Sequence, residues 1–286
     1  MKIDLHAHSA VSDGTDTPAE LVVAAAAAGL DVVALTDHDT FDGLPEALAA
    51  SPAAGVRVLG GVELSAEVDQ VSVHLLGYGC RPDDPGLLAE LARIRRGRDG
   101  RIPAMLAALA GLGMPLDPAV LAATRGSAVS IGRPHLADAL VAQGHVADRA
   151  EAFATYLADD GPAFVPRYAA DLPAAIDLIH AAGGVAVIAH PWGRVSRAVL
   201  PEPYLAALAE RHRLDGVEVD HNDHDDQTRA DLRAVAGRLG LLATGSSDYH
   251  GTGKTGHPLG AHTTPPEVLA EIDARIAAAG GRALSG

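Results

Sequence analysis

Short apolar runs recur along the chain, and most are followed by a helix-like segment. The first, Ile3 and Leu5, runs straight into His6-Ala7-His8 and Ser12-Asp13-Gly14. Thr17-Pro18-Ala19-Glu20 then marks a helix start, with a threonine N-cap, proline at the first helical position and glutamate three residues on. That helix is predicted to run through the alanines to Gly29. Val32-Val33-Ala34-Leu35 reads as a buried strand ending in Thr36-Asp37-His38-Asp39. Further strands are predicted over 56–62, ending at Glu63, over 71–76, carrying His74, and over 185–189, ending at His190-Pro191. Two more cover 216–219, with Glu218 and Asp220 at the end, and 241–245, leading to Asp248-Tyr249-His250. Seven short strands, mostly separated by helical segments, are the signature of a parallel α/β barrel.

One long piece breaks the rhythm. Between 81 and 168 the strand-like runs give way to helical patterns over 87–112, 134–143 and 149–157, joined by Gly and Pro turns. The expected organisation is a barrel built from residues 1–80 and 169–286, with 81–168 inserted as a helical cap over its mouth. A final helix is expected over 265–279.

Composition narrows the function classes. The 286 residues carry a net charge of −15, which argues against a large, sequence-independent nucleic-acid surface. Cys80 is alone, so no internal disulfide and no thiolate metal site is expected. The alanine run 24–28 is too short to span a membrane and nothing resembles a signal peptide, so a cytoplasmic protein is expected. Only two lysines occur, Lys2 and Lys254.

The chemistry lies in how the strands end. Side chains at i and i+2 of a strand point the same way, so His6 and His8 present two imidazoles to one point. His38, Glu63, His190, Asp248 and His250 also stand at strand ends, and His74 lies within its strand. Parallel barrels build their active sites at those C-terminal ends, so the donors converge on a divalent-metal site. Two cations sharing a carboxylate can hold a hydroxide and lower its pKa, a nucleophile suited to phosphoryl transfer. Asp37 and Asp39 fit two roles equally: orienting ligands from behind, or capping a helix. Arg93, Arg95, Arg96, Arg98 and Arg101 cluster within nine residues, and 95, 98 and 101 share a helical face. A solvated helix face and a phosphate site both account for them. Gly132-Arg133-Pro134-His135 fits a phosphate clamp beside a helix start and a structural loop equally well. His221 and His224 lie in a polar loop after the sixth strand.

His6-Ala7-His8, Ser12-Asp13-Gly14, Thr36-Asp37-His38-Asp39, Gly61-Val62-Glu63, His74-Leu75-Leu76-Gly77-Tyr78, Ala189-His190-Pro191 and Ser247-Asp248-Tyr249-His250 together resemble the PHP (polymerase and histidinol phosphatase) domain family, in its order and over almost the whole chain. The resemblance implies a distorted (β/α)7 TIM-like barrel with three divalent metals. It implies His6, His8, Glu63 and Asp248 on the first metal, Glu63 as a bridge with His74 and His190 on the second, and Asp13, His38 and His250 on the third. Aspartate at 13, where some branches carry histidine, favours Mn²⁺, with Zn²⁺ or Fe²⁺ as alternatives. Ser246 stands where other members have glycine.

Gly132-Arg133-Pro134-His135 followed by Ala163-Phe164-Val165-Pro166 resembles the subgroup related to nucleoside 3′,5′-bisphosphate phosphatase and 5′-3′ exoribonuclease. That implies a phosphomonoesterase acting on a small nucleotide through a metal-bridging hydroxide. Arg133 and His135 would hold the substrate phosphate, with Arg95 or Arg98 on a second phosphate and His135 or water as proton donor. The competing readings are a 5′-3′ exonuclease on short oligonucleotides, a histidinol phosphatase, a metal-dependent amidohydrolase and a non-catalytic metal-binding module.

Overall fold

The protein is described by a computed structural model covering residues 1–193 and 196–281. Its strands are β1 (Ile3–Asp4), β2 (Val32–Leu35), β3 (Arg57–Val68), β4 (Val71–Tyr78), β5 (Ala170–Asp171), β6 (Val185–Ala189), β7 (Gly216–Asp220) and β8 (Leu242–Gly245). The sheet runs β1-β2-β3-β4-β6-β7-β8, with β5 paired to β3 off this path. Its two ends meet through a bridge between Ala7 and Tyr249, where the His8 N–H donates to the Tyr249 carbonyl at 2.8 Å. The result is a nearly closed α/β barrel.

One strand departs from the all-parallel expectation. β4 is antiparallel to both β3 and β6, while β1–β2, β2–β3, β6–β7 and β7–β8 are parallel. The turn between β3 and β4 is Asp69-Gln70, both in the left-handed region at φ 48° and 66°, as a two-residue hairpin requires. No glycine marks that turn, so the reversal leaves little trace in the sequence. It explains the position of His74. In a reversed strand this residue pairs with Ala189, the last of β6, and so stands at the rim where the parallel strands end.

Alternation sorts the strand residues into two layers. Ile3, Leu5, Val32, Ala34, Leu59, Leu76, Tyr78, Val185, Val187 and Ala189 form one cluster inside the barrel. The other parity, including Val33, Leu35, Val58, Val62, Leu75, Ile188 and Val217, packs outward against the helices. Glu63 shares the inward parity of Leu59, His74 that of Leu76, and Glu218 faces opposite to Val217 and Val219. The apolar interior therefore turns polar toward one rim.

The helices are α1 (Pro18–Ala27), α2 (Leu44–Ala54), α3 (Pro85–Gly100), α4 (Ile102–Gly111), α5 (Pro118–Arg125), α6 (Arg133–Ala142), α7 (Arg149–Ala152), α8 (Leu172–Ala181), α9 (Glu202–His212), α10 (Asp226–Leu239) and α11 (Pro266–Ala278). Thr17 and Glu20 close the expected capping box on α1. The pattern over 87–112 is split at Arg101 because Pro103 lacks an N–H and starts a new helix, α4. The pattern over 149–157 is α7 continued by a π-helical turn, Phe153–Leu157. Leu87, Leu91 and Ile94 of α3 join the barrel's outer core, whereas Met105, Leu109, Leu121, Leu136, Leu140 and Leu157 form a separate cluster. Among the described residues no helix is long and apolar enough to cross a membrane.

At the far end of the barrel α11 seals the interior with Leu269, Ile272 and Ile276. Gly79 sits beneath it at φ 66°, where an added Cβ would lie 2.5 Å from Ile276 Cδ1. Gly79→Ala is expected to destabilise the fold by about 1–3 kcal/mol, from backbone strain and overpacking together. A urea unfolding midpoint equal to that of the unsubstituted protein would contradict this packing.

Candidate metal centre

Glu63 reaches the barrel mouth from the inward face of β3, and its side chain is 1% exposed. Its Oε1 faces His74 Nδ1 at 2.9 Å, His6 Nε2 at 3.4 Å and His190 Nε2 at 3.4 Å. Its Oε2 faces His38 Nδ1 at 3.0 Å and His8 Nε2 at 3.1 Å. Despite these distances, neither Glu63 Oε1 nor His38 Nδ1 has a hydrogen-bond partner among the described residues. Two buried polar atoms are thus left unsatisfied inside a crowd of ligand-type groups, the arrangement expected around shared cations. Burial opposes ionisation of Glu63, but the surrounding imidazoles outweigh it and hold the carboxyl well below its usual range.

Asp248 and Asp13 extend the cluster. Asp248 Oδ1 lies 3.5 Å from each of His6 Nε2, His8 Nε2 and His250 Nδ1. Its Oδ2 faces His221 Nε2 at 3.3 Å and accepts from Lys254 Nζ. Asp13 lies 3.4 Å from His250 Nε2, and 3.7 Å from both His38 Nε2 and His8 Nδ1. Five groups of three or more potential ligands come together among the described residues, four of them drawn from the nine positions expected. The fifth is His221, Asp248 and His257. Imidazole nitrogens and carboxylate oxygens in this mixture fit divalent cations.

The shell behind these donors fixes which atoms face inward. His6 Nδ1 is 3.2 Å from Glu218 Oε1, leaving His6 Nε2 toward the cluster. Glu218 Oε2 accepts from the His190 backbone N–H at 2.8 Å, and its Oε1 accepts from Ser246 Oγ. His250 Nδ1 lies 2.9 Å from the Asp248 carbonyl, so His250 Nε2 faces Asp13. Burial disfavours the His8 imidazolium, yet hydrogen bonds to Asp248 and Glu63 outweigh it and raise the pKa to about 9. His190 (φ 30°), Asp248 (φ 52°) and Asp39 (φ 55°) all hold left-handed backbone, a strain that clusters at functional sites.

Asp37 and Asp39 cap no helix: α2 starts after Gly43 without a side-chain cap. Asp37 accepts from Ser9 N–H (2.8 Å), Ser9 Oγ (2.7 Å) and Ser12 Oγ (2.7 Å), bracing the loop that carries Asp13. Asp39 accepts from Ser65 N–H at 2.7 Å and Ser65 Oγ at 2.9 Å, and pairs with Arg98. β1 ends at Asp4, so His6 and His8 lie beyond regular strand, yet their Nε2 atoms approach to 3.0 Å.

The cap residues are placed less simply. Arg98 is buried and paired with Asp39, and Arg95 donates to the Asp39 carbonyl, so neither is on a solvated helix face. Arg101 stands at the junction of α3 and α4, still in right-handed helical backbone, and is buried like Arg98. Arg133 Nη1 donates to Asp159 Oδ1 at 2.5 Å and to the Leu157 carbonyl at 2.9 Å, with its guanidinium between the Phe153 and Phe164 rings. His135 is buried, and its Nδ1 accepts the Gly132 N–H at 2.9 Å. An Nδ1 that accepts carries no proton, so the ring proton is on Nε2; burial lowers the pKa in the same direction. His135 lines a cavity of ≈ 220 Å³ with Gly14, Thr15, Asp138 and Arg149.

Glu218, named in the sequence at the end of its strand, faces inward with parity opposite to Val217 and Val219. Other contributors escape a sequence reading. Lys254 is one of only two lysines in an arginine-rich chain. Arg167 and His257 carry no motif.

Residues 4–114 match the family model described as PHP domain. The chain is 39% identical, over 96% of its length and 97% of the relative's, to the 3′,5′-nucleoside bisphosphate phosphatase of Chromobacterium violaceum. It is also 39% identical, over 66% of its length and 69% of the relative's, to a 5′-3′ exoribonuclease of Haemophilus influenzae. A solved structure from Bifidobacterium adolescentis, described as a metal-dependent phosphoesterase, superposes with a TM-score of 0.91 at 36% identity, covering 96% of each chain. Near-full-length similarity of this kind, together with the convergent donors at the barrel rim, shows that the chain belongs to the PHP domain family.

Proposed function

We propose that this protein is a metal-dependent phosphoesterase that removes the 3′-phosphate of a nucleoside 3′,5′-bisphosphate. The observation that carries the reading is Glu63, whose two oxygens lie 2.9–3.4 Å from five imidazoles. Such a carboxylate suits a bridge. In this reading His6, His8, Glu63 and Asp248 hold one cation, Glu63, His74 and His190 a second, and Asp13, His38 and His250 a third. Mn²⁺ is favoured over Zn²⁺ or Fe²⁺ by the carboxylate at 13. Divalent ions held there supply an activated water and neutralise charge on phosphoryl oxygens.

The chain's own residues bind and orient. Glu218 and the Asp248 carbonyl set the tautomers of His6 and His250, while Asp37 and Asp39 brace the ligand loops from behind. His135, neutral with Nε2–H free of the Gly132 contact, suits donating a hydrogen bond to a phosphate oxygen better than giving up a proton. Arg133 supplies positive charge from the cap, and residues 81–168 act as that cap, with α3 anchored in the barrel. The substrate assignment draws on the bisphosphate phosphatase relative. A second reading, 5′-3′ trimming of short oligonucleotides in the same site, draws on the exoribonuclease relative. A cytoplasmic setting goes with either substrate.

A phosphate-release panel separates the readings. Adenosine 3′,5′-bisphosphate, adenosine 3′-monophosphate, adenosine 5′-monophosphate, histidinol phosphate and a dinucleotide would be compared with Mn²⁺ and with Zn²⁺. The bisphosphate is expected to give the highest kcat/KM; turnover that grows with oligonucleotide length would favour the exonuclease, and no phosphate release would end the proposal. Glu63→Gln is expected to abolish turnover and lower metal content measured by atomic absorption; full activity would remove its bridging role. Glu218→Ala, which leaves His6 Nδ1 without its partner, is expected to weaken Mn²⁺ binding about 10- to 100-fold. An unchanged Mn²⁺ dissociation constant would show that Glu218 does not orient His6.

A further inference from the structure

The two oxygens of Asp248 face different surroundings. Oδ1 stands among the rim donors, 3.5 Å from each of His6 Nε2, His8 Nε2 and His250 Nδ1. Oδ2 faces His221 Nε2 at 3.3 Å and accepts from Lys254 Nζ. Burial opposes ionisation of Asp248, but Lys254 foremost, then His6 and His250, outweigh it and hold the carboxyl well below its usual range.

His221, Asp248 and His257 are the one group of potential ligands that draws on histidines outside the nine expected positions, with ligand atoms within 4.8 Å of one another. Protons complete its bonds. His221 Nδ1 accepts the Asp223 N–H at 2.9 Å, so the ring proton is on Nε2 and is donated to Asp248 Oδ2. A nitrogen that carries a proton offers a cation no lone pair. His257 Nδ1 donates to the Ser247 carbonyl at 2.7 Å, bracing the residue before Asp248. The positive charge of the group comes from Lys254.

The segment around Lys254 is pinned on three sides. The Thr252 N–H donates to Thr15 Oγ1 at 2.9 Å, and Arg149 Nη1 donates to the Gly253 carbonyl at 3.0 Å. Asn222 Nδ2, next to His221, donates to the Gly256 carbonyl at 3.0 Å. An ammonium is a compact point charge that suits one oxygen, whereas a guanidinium fork suits two. Lysine stands at this position in a chain with only one other.

We propose that Lys254 and His221 are positioning residues that hold Asp248 as a one-oxygen ligand, and thereby set the centre's preference for Mn²⁺ or Zn²⁺ over Ca²⁺. This deepens the function proposed above and rests on it for Asp248 as a metal ligand. Ca²⁺ gathers more oxygens than these ions and readily takes both from one carboxylate. With Oδ2 occupied by two N–H donors, Asp248 has only Oδ1 to give.

The test titrates the full chain, stripped by chelator, with Mn²⁺ and with Ca²⁺ in a calorimeter. Lys254→Met, Lys254→Arg, His221→Phe and His221→Gln are compared with the unsubstituted protein. The quantity read is the ratio of the Ca²⁺ to the Mn²⁺ dissociation constant. Both ions carry the same charge, so the loss of an ammonium acts on both alike and cancels in the ratio. In Lys254→Met and His221→Phe the ratio is expected to fall at least about tenfold. Lys254→Arg and His221→Gln keep an N–H donor and are expected to recover part of it. Lys254 is 21% exposed, so its variants carry the test should the buried His221→Phe fail to fold. A ratio unchanged in Lys254→Met, with Mn²⁺ bound by both proteins, would overturn the positioning role and leave the metal centre standing. An unsubstituted protein that bound neither ion would end both.

Discussion

Glu63 is a carboxylate in the mouth of a barrel, out of reach of bulk water and surrounded by imidazoles. Burying a charge is costly unless it is paired, and imidazoles pair with a carboxylate by donating a ring N–H, by taking up a proton or by sharing a cation with it. The donors around Glu63 stand 2.9–3.4 Å from it, and Oε1 still lacks a hydrogen bond. A buried set of donors that does not satisfy itself is arranged for something else. Much of the surrounding structure serves to hold this unsatisfied arrangement: Glu218 behind His6, Asp37 behind the Asp13 loop, and left-handed backbone at His190 and Asp248. Strain of this kind, of order 1–3 kcal/mol per residue, persists when its surroundings over-determine it.

The reversed strand belongs to the same constraint. A parallel barrel delivers its ligands from the residues just beyond each strand's C-terminal end, on loops. β4 enters the rim from the other direction and contributes His74 from regular hydrogen-bonded strand, with Ser65 of β3 and Ala189 of β6 as its register partners. Glu63, two residues before Ser65, is also within strand. The bridging candidate and one of its imidazoles therefore ride on regular hydrogen-bonded strand, while His8, Asp13, His38 and His250 come from loops. Placing the shared group on a hairpin fixes the centre about which the looser groups arrange.

The rim was legible because its chemistry is concentrated in short motifs at the ends of apolar runs. His6, His8, His38, Glu63, His190, Asp248 and His250 could each be located by that rule alone, and the fold class followed from the same repeat. The direction of β4 was not legible, because Asp69-Gln70 makes a glycine-type turn without glycine; only the in-strand position of His74 hinted at it. The arginine-bearing side of residues 81–168 was half legible. The basic run 93–101 stands out, but Arg167 lies more than sixty positions away and meets it only through the fold. The single helix expected over 87–112 breaks for a local reason, since Pro103, at the start of α4, lacks the N–H that would continue α3.

The chain's negative charge and its arginine cluster make sense together. A net charge of −15 repels anions over most of the surface, so any attraction for them is local. Residues 81–168 carry the basic run 93–101 and are tied to the barrel. Ser127 Oγ and the Val129 N–H donate to the carbonyls of Ala10 and Val11, in the loop that carries Asp13. Arg149 reaches from α7 to the Gly253 carbonyl, three residues beyond His250. Both ties end on segments that carry donors of the Asp13–His38–His250 group. A shift of residues 81–168 against the barrel would drag those segments with it, so this region is mechanically continuous with the loops that carry the rim donors.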